Sequence, residues 1–377
     1  MSGVNPELHP LFVEALRLSE GVQPTPSAIQ RVGKATSTEA ATWAFTQWEL
    51  RRRGAEKFAR ASEMLFTTDG LAMASSEAVA RFHAGLFPEG VEVADLTCGI
   101  GADLMALAER GMVVGLDQNP DHANAALWNL RAHDLGGLVY VADSLVWAAH
   151  EKPKYVFVDP ARRKGSQRTL NPESFSPSLS ALRPILDRAN RWVMKLSPML
   201  PDDFLGSFPA DLIFISHEGE CKEALLVGPS ENPVTKAIHI ESGEELLGET
   251  SAPRTEEPRA YLWELDPAAV RAHAQGSFGV PQLADAIGYL TSDSPPDSPW
   301  IMAYRVLWQG AFREKVISTE LRKNQWKPTA VKTKYVEVNP EKTLKALRQS
   351  SGSPVQVVVY PHGKALRALI VERLLPA

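Results

Sequence analysis

The chain has 377 residues, 44% of them hydrophobic and 23% charged, which is enough to bury a sizeable core in two or three domains. No apolar run is long enough to span a membrane, and no basic region followed by an apolar one precedes the first helix, so the expected location is cytoplasmic. The two cysteines, Cys98 and Cys221, form neither a disulfide framework nor a zinc site, and no metal is expected.

The net charge of −5 is unevenly distributed along the chain. Residues 301–377 contain 14 Lys or Arg against 5 Asp or Glu, so this segment carries +9 and the first 300 residues carry −14. A basic segment on an acidic chain predicts a polyanionic partner, and RNA is the candidate. The alternative is a basic helix face that is simply solvated.

In chain order, the first element is a predicted helical domain over residues 1–87, whose longest helical pattern covers 41–61. Pro88-Glu-Gly90 breaks this pattern and precedes the first predicted strand. A core domain over 88–235 and a C-terminal domain over 236–377 follow.

The stretch Val91-Glu-Val-Ala-Asp-Leu-Thr-Cys-Gly-Ile-Gly101 predicts a buried strand that ends in Asp95 and opens into a Gly-x-Gly turn. Gly99 and Gly101 let the backbone approach a ligand, and the helix that follows points its N-terminal amides at that ligand. The next strand ends in Asp117, 22 residues after Asp95, which is about the spacing of the carboxylate that binds ribose hydroxyls in α/β nucleotide folds. The pattern predicts a nucleoside-containing cofactor, and the alternative for Asp117 is a helix N-cap ahead of Asp121.

Leu104 stands where a dinucleotide fingerprint requires its third glycine, so a pyrophosphate ligand is disfavoured. Asp95 would repel a phosphate but suits a ligand that carries an ammonium group. S-adenosylmethionine, with its ribose, sulfonium and α-amino group, meets both conditions. A nicotinamide cofactor is the disfavoured alternative.

The core continues with βα regularity, which predicts a mainly parallel, doubly wound sheet with an antiparallel edge. Asp143 and Ser144 follow the third strand, where they can hydrogen-bond an adenine edge. The later strands are predicted over 138–142, 154–158 and 191–195, with a closing hairpin of 211–215 and 224–227.

The C-terminal domain shows clear alternation of apolar and polar residues. The pattern predicts a strand over 330–338, a helix over 340–348 and strands over 355–360 and 364–371 joined by a Pro-His-Gly turn. This βαββ order indicates a small α+β domain with one exposed sheet face.

The motif Asp-x-x-Cys-Gly-x-Gly, followed by Asp117, Asp143 and Asp159-Pro160, resembles the class I S-adenosylmethionine-dependent methyltransferases. More narrowly, three segments look like bacterial methyltransferases with a THUMP-like C-terminal domain, which are similar to trimethylguanosine synthases. These segments are Phe66-Thr-Thr-Asp-Gly-Leu71, Asp-Pro-Ala-Arg-Arg163 and Gly219-Glu-Cys-Lys-Glu223.

The resemblance implies an α/β fold with a doubly wound, seven-stranded methyltransferase sheet, an N-terminal helical domain and a C-terminal THUMP-like domain. It also implies that Phe66 and Thr67 close over the cofactor, and the alternative for Phe66 is a plain core residue. The candidate cofactor-binding residues are Phe66, Thr67, Asp95, Thr97, Cys98, Gly99, Gly101, Asp117, Gln118, Asp143, Ser144 and Asp159.

Asp159 and Pro160 are the candidate catalytic residues, because they stand where amino-group methyltransferases place an acid or amide followed by proline. A carboxylate there can accept a hydrogen bond from an exocyclic amine and stabilise the charge that develops during transfer. Ala161 and Arg162 replace the usual second proline and stacking aromatic, which weighs against a flipped base amine as substrate.

The basic run that begins at Arg162 and Arg163 is a candidate grip for a substrate phosphate or carboxylate, or else a solvated loop. Lys332 and Lys334 in the C-terminal segment are further candidate substrate-binding residues. The predicted function is therefore a methyltransferase that acts on RNA, either rRNA or tRNA. The alternatives are a small-molecule methyltransferase with a structural C-terminal domain and a non-catalytic protein that binds cofactor or RNA.

Overall fold

The computed structural model describes residues 9–161, 163–164, 167–248, 252–349 and 351–374. These residues form two compact units. The first comprises the chain up to Asp211 together with Leu225–Pro233, and the second comprises Leu212–Ala224 and the chain from Val234 onward. Within the described ranges, no helix is long and apolar enough to cross a membrane.

The first unit begins with helices that start at hydroxyl caps. The side chains of Thr25, Ser37 and Thr67 each accept a hydrogen bond from a backbone N–H in the first turn of the helix that follows. The predicted long helix ends earlier than its sequence pattern, at Gly54. The five helices are α1 (Pro10–Ser19), α2 (Pro26–Ala35), α3 (Thr38–Gly54), α4 (Thr68–Met73) and α5 (Glu77–Gly85).

The rest of the first unit alternates strands and helices. Its elements are β1 (Val93–Asp95), α6 (Ala102–Ala108), β2 (Val113–Asp117), α7 (Pro120–Ala132), β3 (Leu138–Val141), α8 (Ser144–Glu151), β4 (Tyr155–Val158), β5 (Arg163–Lys164), β6 (Gln167–Arg168), α9 (Leu179–Leu186), β7 (Arg191–Leu196) and α10 (Asp202–Leu205). Strands β7, β4, β1, β2 and β3 are parallel neighbours in that order. Their carboxyl ends therefore meet at one edge of the sheet, where ligands bind in open α/β folds.

Within the residues that the structure describes, this sheet has nine strands rather than the predicted seven. The hairpin partners β8 (Asp211–His217) and β9 (Glu220–Gly228) are joined by β10 (Thr235–His239) and β11 (Glu245–Leu247), in the order β11-β10-β8-β9-β7-β4-β1-β2-β3. The two additional strands join this sheet because β10 pairs in parallel with β8 at the edge beyond the hairpin.

The second unit also contains an eight-stranded sheet, in the order β12-β14-β15-β13-β16-β19-β18-β17. The predicted βαββ pattern corresponds to β17, α13, β18 and β19, although β17 begins and ends earlier than predicted. The elements are β12 (Arg254–Thr255), β13 (Tyr261–Leu265), α11 (Pro267–Arg271), β14 (Gln282–Leu283), β15 (Tyr289–Ser292), β16 (Ile301–Ala311), α12 (Glu314–Lys323), β17 (Trp326–Thr333), α13 (Pro340–Leu347), β18 (Ser353–His362) and β19 (Ala365–Arg373).

Both faces of this second sheet are buried at β18. Val357 packs with Ile317, Leu321 and Leu347 on one face, and Val358 belongs to the cluster on the other face. Neighbouring residues of a strand point to opposite faces, so an uninterrupted apolar run in β18 fits a strand that is covered on both sides. The predicted exposed sheet face is therefore wrong for this strand, because its pattern is continuous and not alternating.

Candidate functional site

A cavity of about 360 Å³ lies in the first unit, at the carboxyl ends of its parallel strands. Eight of the predicted cofactor-binding residues line it, and four do not. The lining residues among the predictions are Thr97, Cys98, Gly99, Asp117, Gln118, Asp143, Ser144 and Asp159. The structure thus brings together residues from four separate strand ends, as the βα pattern predicts.

The glycine turn after β1 forms one wall of the cavity. Gly99 has a φ of +52°, and a Cβ built there would meet no atom within 4 Å, so the backbone at this position faces open space. Gly101 has a φ of +88° and does not line the cavity; its Cβ would lie 3.0 Å from the Ala126 backbone. Gly101 therefore serves the packing of this turn against α7, whereas Gly99 leaves room for a ligand.

Leu104, at the position of the missing third glycine, is fully buried. Close packing between this helix and β2 depends on Gly115 of the strand. A Cβ on Gly115 would lie only 2.7 Å from Leu104 Cδ2. The residue without a side chain at this contact is therefore in β2 and not in the helix. Helix and strand still pack closely, so the absent fingerprint glycine does not open this turn.

Asp117 is held at the cavity by backbone amides. Its Oδ1 accepts a hydrogen bond from Asn119 N at 2.7 Å, and its Oδ2 accepts one from Gly99 N at 3.1 Å. The side chain that caps α7 is that of Asn119, so capping does not explain Asp117. Its carboxylate is fixed between the glycine turn and the helix, where the ribose hydroxyls of a nucleoside would bind.

His122 is a cavity residue that the sequence analysis missed. Its Nδ1 lies 3.4 Å from Asp117 Oδ2, and its Nε2 lies 3.3 Å from Asp69 Oδ2. Burial opposes the charged ring, but hydrogen bonds and charge from Asp117 and Asp69 outweigh burial and raise the pKa of His122. This histidine is the third residue of α7, and it gave no sequence signal that distinguished it.

Asp143 is also held by backbone amides. It caps α8, and its Oδ1 accepts hydrogen bonds from Leu145 N at 2.9 Å and Val146 N at 3.2 Å. Ser144 is buried beside it, and both line the cavity. The predicted adenine contacts fall on a rigid helix N-terminus.

Asp95 lies below the cavity and does not line it. The side chain is 1% exposed; Oδ1 accepts a hydrogen bond from Thr97 N, and Oδ2 is buried with no hydrogen-bond partner among the described residues. Burial, together with the nearby carboxylates of Asp103, Asp159 and Asp117, raises its pKa well above the ordinary value. A buried carboxyl oxygen without a partner is an acceptor that a cationic group can satisfy.

Cys98 lines the cavity but is buried, and burial raises the pKa of its thiol well above the ordinary range. A thiol held neutral in this way packs under the turn and is a poor nucleophile. Within the ranges that the structure covers, no group of three or more His, Cys, Asp and Glu side chains has the arrangement of a metal site.

Phe66 and Thr67 do not line the cavity, although the resemblance implied that they close over the cofactor. Phe66 is 2% exposed, and its backbone exchanges hydrogen bonds with the Gln47 side chain at 2.7 and 3.0 Å. Thr67 caps α4 by accepting a hydrogen bond from Gly70 N. The residues of this segment that line the cavity are Gly70, Met73 and Ala74.

Asp159 lines the cavity directly after β4. Its backbone N donates to Thr97 Oγ1 at 2.7 Å, and its Oδ2 lies 2.9 Å from Lys195 Nζ. Pro160 is buried and does not line the cavity. Ala161 does line it and forms a two-hydrogen-bond bridge with Ser176, so the hairpin of β5 and β6 starts from the cavity wall.

The remaining candidates for substrate binding are Arg162, Arg163, Lys332 and Lys334. Arg162 lies outside the described residues, and of Arg163 the structure describes only the backbone pairing with Arg168. In the second unit, Lys332 pairs with Glu264, and Lys334 lies 5.4 Å from the centre of the Tyr289 ring. Burial lowers the pKa of Lys334. Both lysines have a partner within their unit, and their role in binding substrate stays a prediction.

Comparison with known proteins agrees with this geometry. No family model matches the chain. It is 29% identical over 340 residues to an uncharacterized S-adenosylmethionine-dependent methyltransferase present in two Mycobacterium tuberculosis strains, covering 85% of this chain and 93% of the relative. The crystal structure of a candidate methyltransferase from Porphyromonas gingivalis W83 shares the fold, with a TM-score of 0.79, 20% identity and coverage of 96% and 98%. The predicted enzyme class and cofactor are confirmed.

Proposed function

We propose that this S-adenosylmethionine-dependent methyltransferase methylates RNA, with Asp159 as the residue that contacts the nucleophile. The observation that carries the proposal is the basic run Arg162-Arg163-Lys164, which follows directly from the cavity wall at Ala161. A basic run that follows directly in the sequence from a cavity-lining residue suits a substrate in which the reacting group is flanked by phosphates.

The residues of the cavity fit the cofactor. Asp117 presents a carboxylate to ribose hydroxyls, Asp143 and Ser144 present a helix N-terminus to the adenine edge, and the backbone at Gly99 leaves open space. When bound, the cofactor supplies an electrophilic methyl group on a sulfonium.

Methyl transfer is an in-line displacement, so the main task of the chain is to hold the nucleophile on the line of the breaking bond and to exclude water. The carboxylate of Asp159 accepts a hydrogen bond from the nucleophile and orients its lone pair. Pro160 lacks an N–H and fixes the backbone dihedral directly after this acid, which limits the movement of Asp159. The negative charge also stabilises the positive charge that develops on the nucleophile.

The second unit supplies the exposed cations of the basic C-terminal segment. Arg322, Lys323 and Lys327 are exposed, whereas Lys332 and Lys334 are engaged within the unit. The candidate RNA-binding surface of this unit therefore consists of the end of α12 and the start of β17. Within the +9 segment, we expect phosphate to bind to this surface and not to Lys332 and Lys334.

The proposal is tested by incubating the full-length protein with methyl-tritiated cofactor and, separately, the RNA and small-molecule fractions of cells that lack the gene. We expect radioactivity in one RNA species only, and loss of one methylated nucleoside from that RNA in the deletion strain. Labelling of the small-molecule fraction alone would replace RNA by a small-molecule substrate.

The salt dependence of RNA affinity tests whether the exposed cations of the second unit contact RNA. Replacing Arg322, Lys323 and Lys327 by Ala should reduce the dependence of log affinity on log salt by about 2, at roughly 0.7 per phosphate on a single strand. Replacing Lys332 by Ala is the matched control, and we expect no change in this slope. Equal slopes for the triple variant and the wild type would remove the second unit from the RNA interface.

A further inference from the structure

The ion pair between Asp159 and Lys195 is the starting point. Lys195 lies in β7 between buried residues Met194 and Leu196, and its side chain is 11% exposed. In the register of the sheet, Val158 pairs with Met194, so Asp159 and Lys195 each stand one residue beyond a paired position on neighbouring parallel strands. They therefore reach the same face at the same level, and Lys195 Nζ lies 2.9 Å from Asp159 Oδ2.

Lys195 makes a second contact besides Asp159. Its Nζ donates a hydrogen bond to Ser75 Oγ at 3.1 Å, and Ser75 Oγ donates to Asp103 Oδ2 at 3.0 Å. Asp103 Oδ1 lies 2.7 Å from Nδ1 of His83, whose side chain is fully buried. Four further side chains thus form a chain of contacts that begins at Asp159, and one of them, Asp103, also lines the cavity.

The charges along this chain of contacts are consistent with an ordered network. Burial alone would raise the pKa of Asp103, but His83, Lys195 and Ser75 outweigh burial, and its pKa lies below the ordinary value. An ionised Asp103 balances the charge on Lys195 through Ser75. A buried lysine with acidic or hydroxyl partners on two sides has little rotational freedom.

We propose that Lys195 is a positioning residue for methyl transfer, and that it fixes Asp159 through this network. The inference rests on the proposed role of Asp159. Because the ammonium contacts Oδ2, the other carboxylate oxygen is the one that accepts from the nucleophile. The ammonium also repels a protonated amine at the same place, so the Asp159–Lys195 pair suits an uncharged nucleophile, such as a base nitrogen or a ribose hydroxyl.

The test compares single-turnover methyl transfer and cofactor affinity in the full-length protein. Lys195→Met preserves the length of the side chain but removes its charge, and we expect the transfer rate to fall about 100-fold, as for a misplaced reacting group. Lys195→Arg retains a cation and should recover about tenfold of that loss, because a guanidinium can still pair with the carboxylate. Ser75→Ala should have a smaller effect, since it removes only the link behind Lys195.

Two controls separate positioning from stability. Lys154→Met makes the same chemical change at an exposed lysine just before β4, and it should leave the rate unchanged. The affinity for S-adenosylhomocysteine, measured by calorimetry, should stay within about threefold in every variant, because positioning of the nucleophile is separate from cofactor binding.

The outcomes are distinct. If the wild type methylates RNA and Lys195→Met does so at a rate within about threefold, the positioning role is wrong and the proposed function stands. If Lys195→Arg is as slow as Lys195→Met and both lose cofactor affinity more than tenfold, the role is structural and the inference is overturned. If only the small-molecule fraction is labelled, the transfer rates of the wild type and Lys195→Met are compared on that fraction, and a rate within about threefold overturns the positioning role. If the wild type labels neither fraction, both proposals are overturned.

Discussion

The two sides of the cavity hold their carboxylates in different ways. On the cofactor side, Asp117 and Asp143 are fixed by backbone N–H groups of the residues that follow them or of the glycine turn. On the side that we propose for the nucleophile, Asp159 contacts Lys195, which in turn donates a hydrogen bond to Ser75. Backbone amides are present whatever the side chains are, whereas a side-chain network can be lost with one substitution.

This difference suggests a division of labour. The cofactor side needs only a pre-formed cradle, which turns and helix N-termini provide. The nucleophile side must place one oxygen with an accuracy that the chemistry demands, and the buried network provides a rigid support for it. Substitutions on the two sides should therefore affect different measured quantities.

The largest expected effect belongs to Asp159→Asn, which keeps the size of the side chain and removes its charge. We expect methyl transfer to fall by about 100- to 10,000-fold, the range of a lost acid–base contact. Cofactor affinity should remain within about threefold of the wild type, because the cofactor-side carboxylates are intact. Single-turnover kinetics and calorimetry check the two parts, with Asp121→Asn on the exposed start of α7 as the control. A loss of cofactor affinity as large as the loss of transfer rate would show that Asp159 binds the cofactor, and it would contradict the proposed difference between the two sides.

Asp117→Ala should have the opposite pattern. Two charge-assisted hydrogen bonds to ribose hydroxyls are worth roughly 1.5 to 3 kcal/mol each before desolvation, so cofactor affinity should fall at least tenfold. The transfer rate at saturating cofactor should change much less than in Asp159→Asn. Calorimetric titration with S-adenosylhomocysteine measures the first quantity, and an affinity equal to that of the wild type would exclude Asp117 as the ribose anchor.

Gly115→Ala tests whether the glycine in β2 replaces the missing fingerprint glycine. The added methyl would lie 2.7 Å from Leu104 and 3.2 Å from Cys98, and overpacking of this kind typically costs about 1–3 kcal/mol of unfolding free energy. Gly85→Ala, where an added Cβ meets nothing within 4 Å, is the control. Denaturant unfolding should show partial recovery in the double variant Gly115→Ala/Leu104→Ala; simple additivity would show that the two positions do not pack against each other.

The smallest effect concerns His122 and pH. Because its pKa is raised in the folded chain, its charged form stabilises the fold below the pKa of an unfolded histidine, about 6.5, and this contribution is lost as pH rises through the folded value. The difference in unfolding free energy between the wild type and His122→Gln should therefore be larger at pH 6 than at pH 9. A difference that is the same at both values would show that Asp69 and Asp117 do not hold the charged ring.

Several features of the site could be predicted because their cause is local. The acids at the ends of β1, β2 and β4 follow apolar runs, and parallel strands bring such ends to one edge. Asp143 precedes an apolar helical pattern, which is the usual sequence context of a helix cap. The enzyme class and the cofactor followed from this set of residues and from the resemblance that it carries.

Other features could not be predicted because they join residues that are distant in the sequence. Ser75, Asp103 and Lys195 lie in three different elements, and each one alone looks like a capping residue, a helix acid or a strand lysine. Phe66 was assigned to the cofactor, but its sequence context does not reveal that Gln47 binds its backbone and that it packs against Gly54. Pairing partners are set by the folded topology and not by neighbours in the chain.

The second unit shows the same limit for charge. The sequence by itself determined how many basic residues the C-terminal segment has, where they lie along the chain, and that β17 and β18 are strands. Only the tertiary structure decided which cations are exposed, because Glu264 and the Tyr289 ring come from parts of the chain far before Lys332 and Lys334. Charge is a property of residues, but its availability to a partner depends on burial and pairing, which long-range packing alone determines.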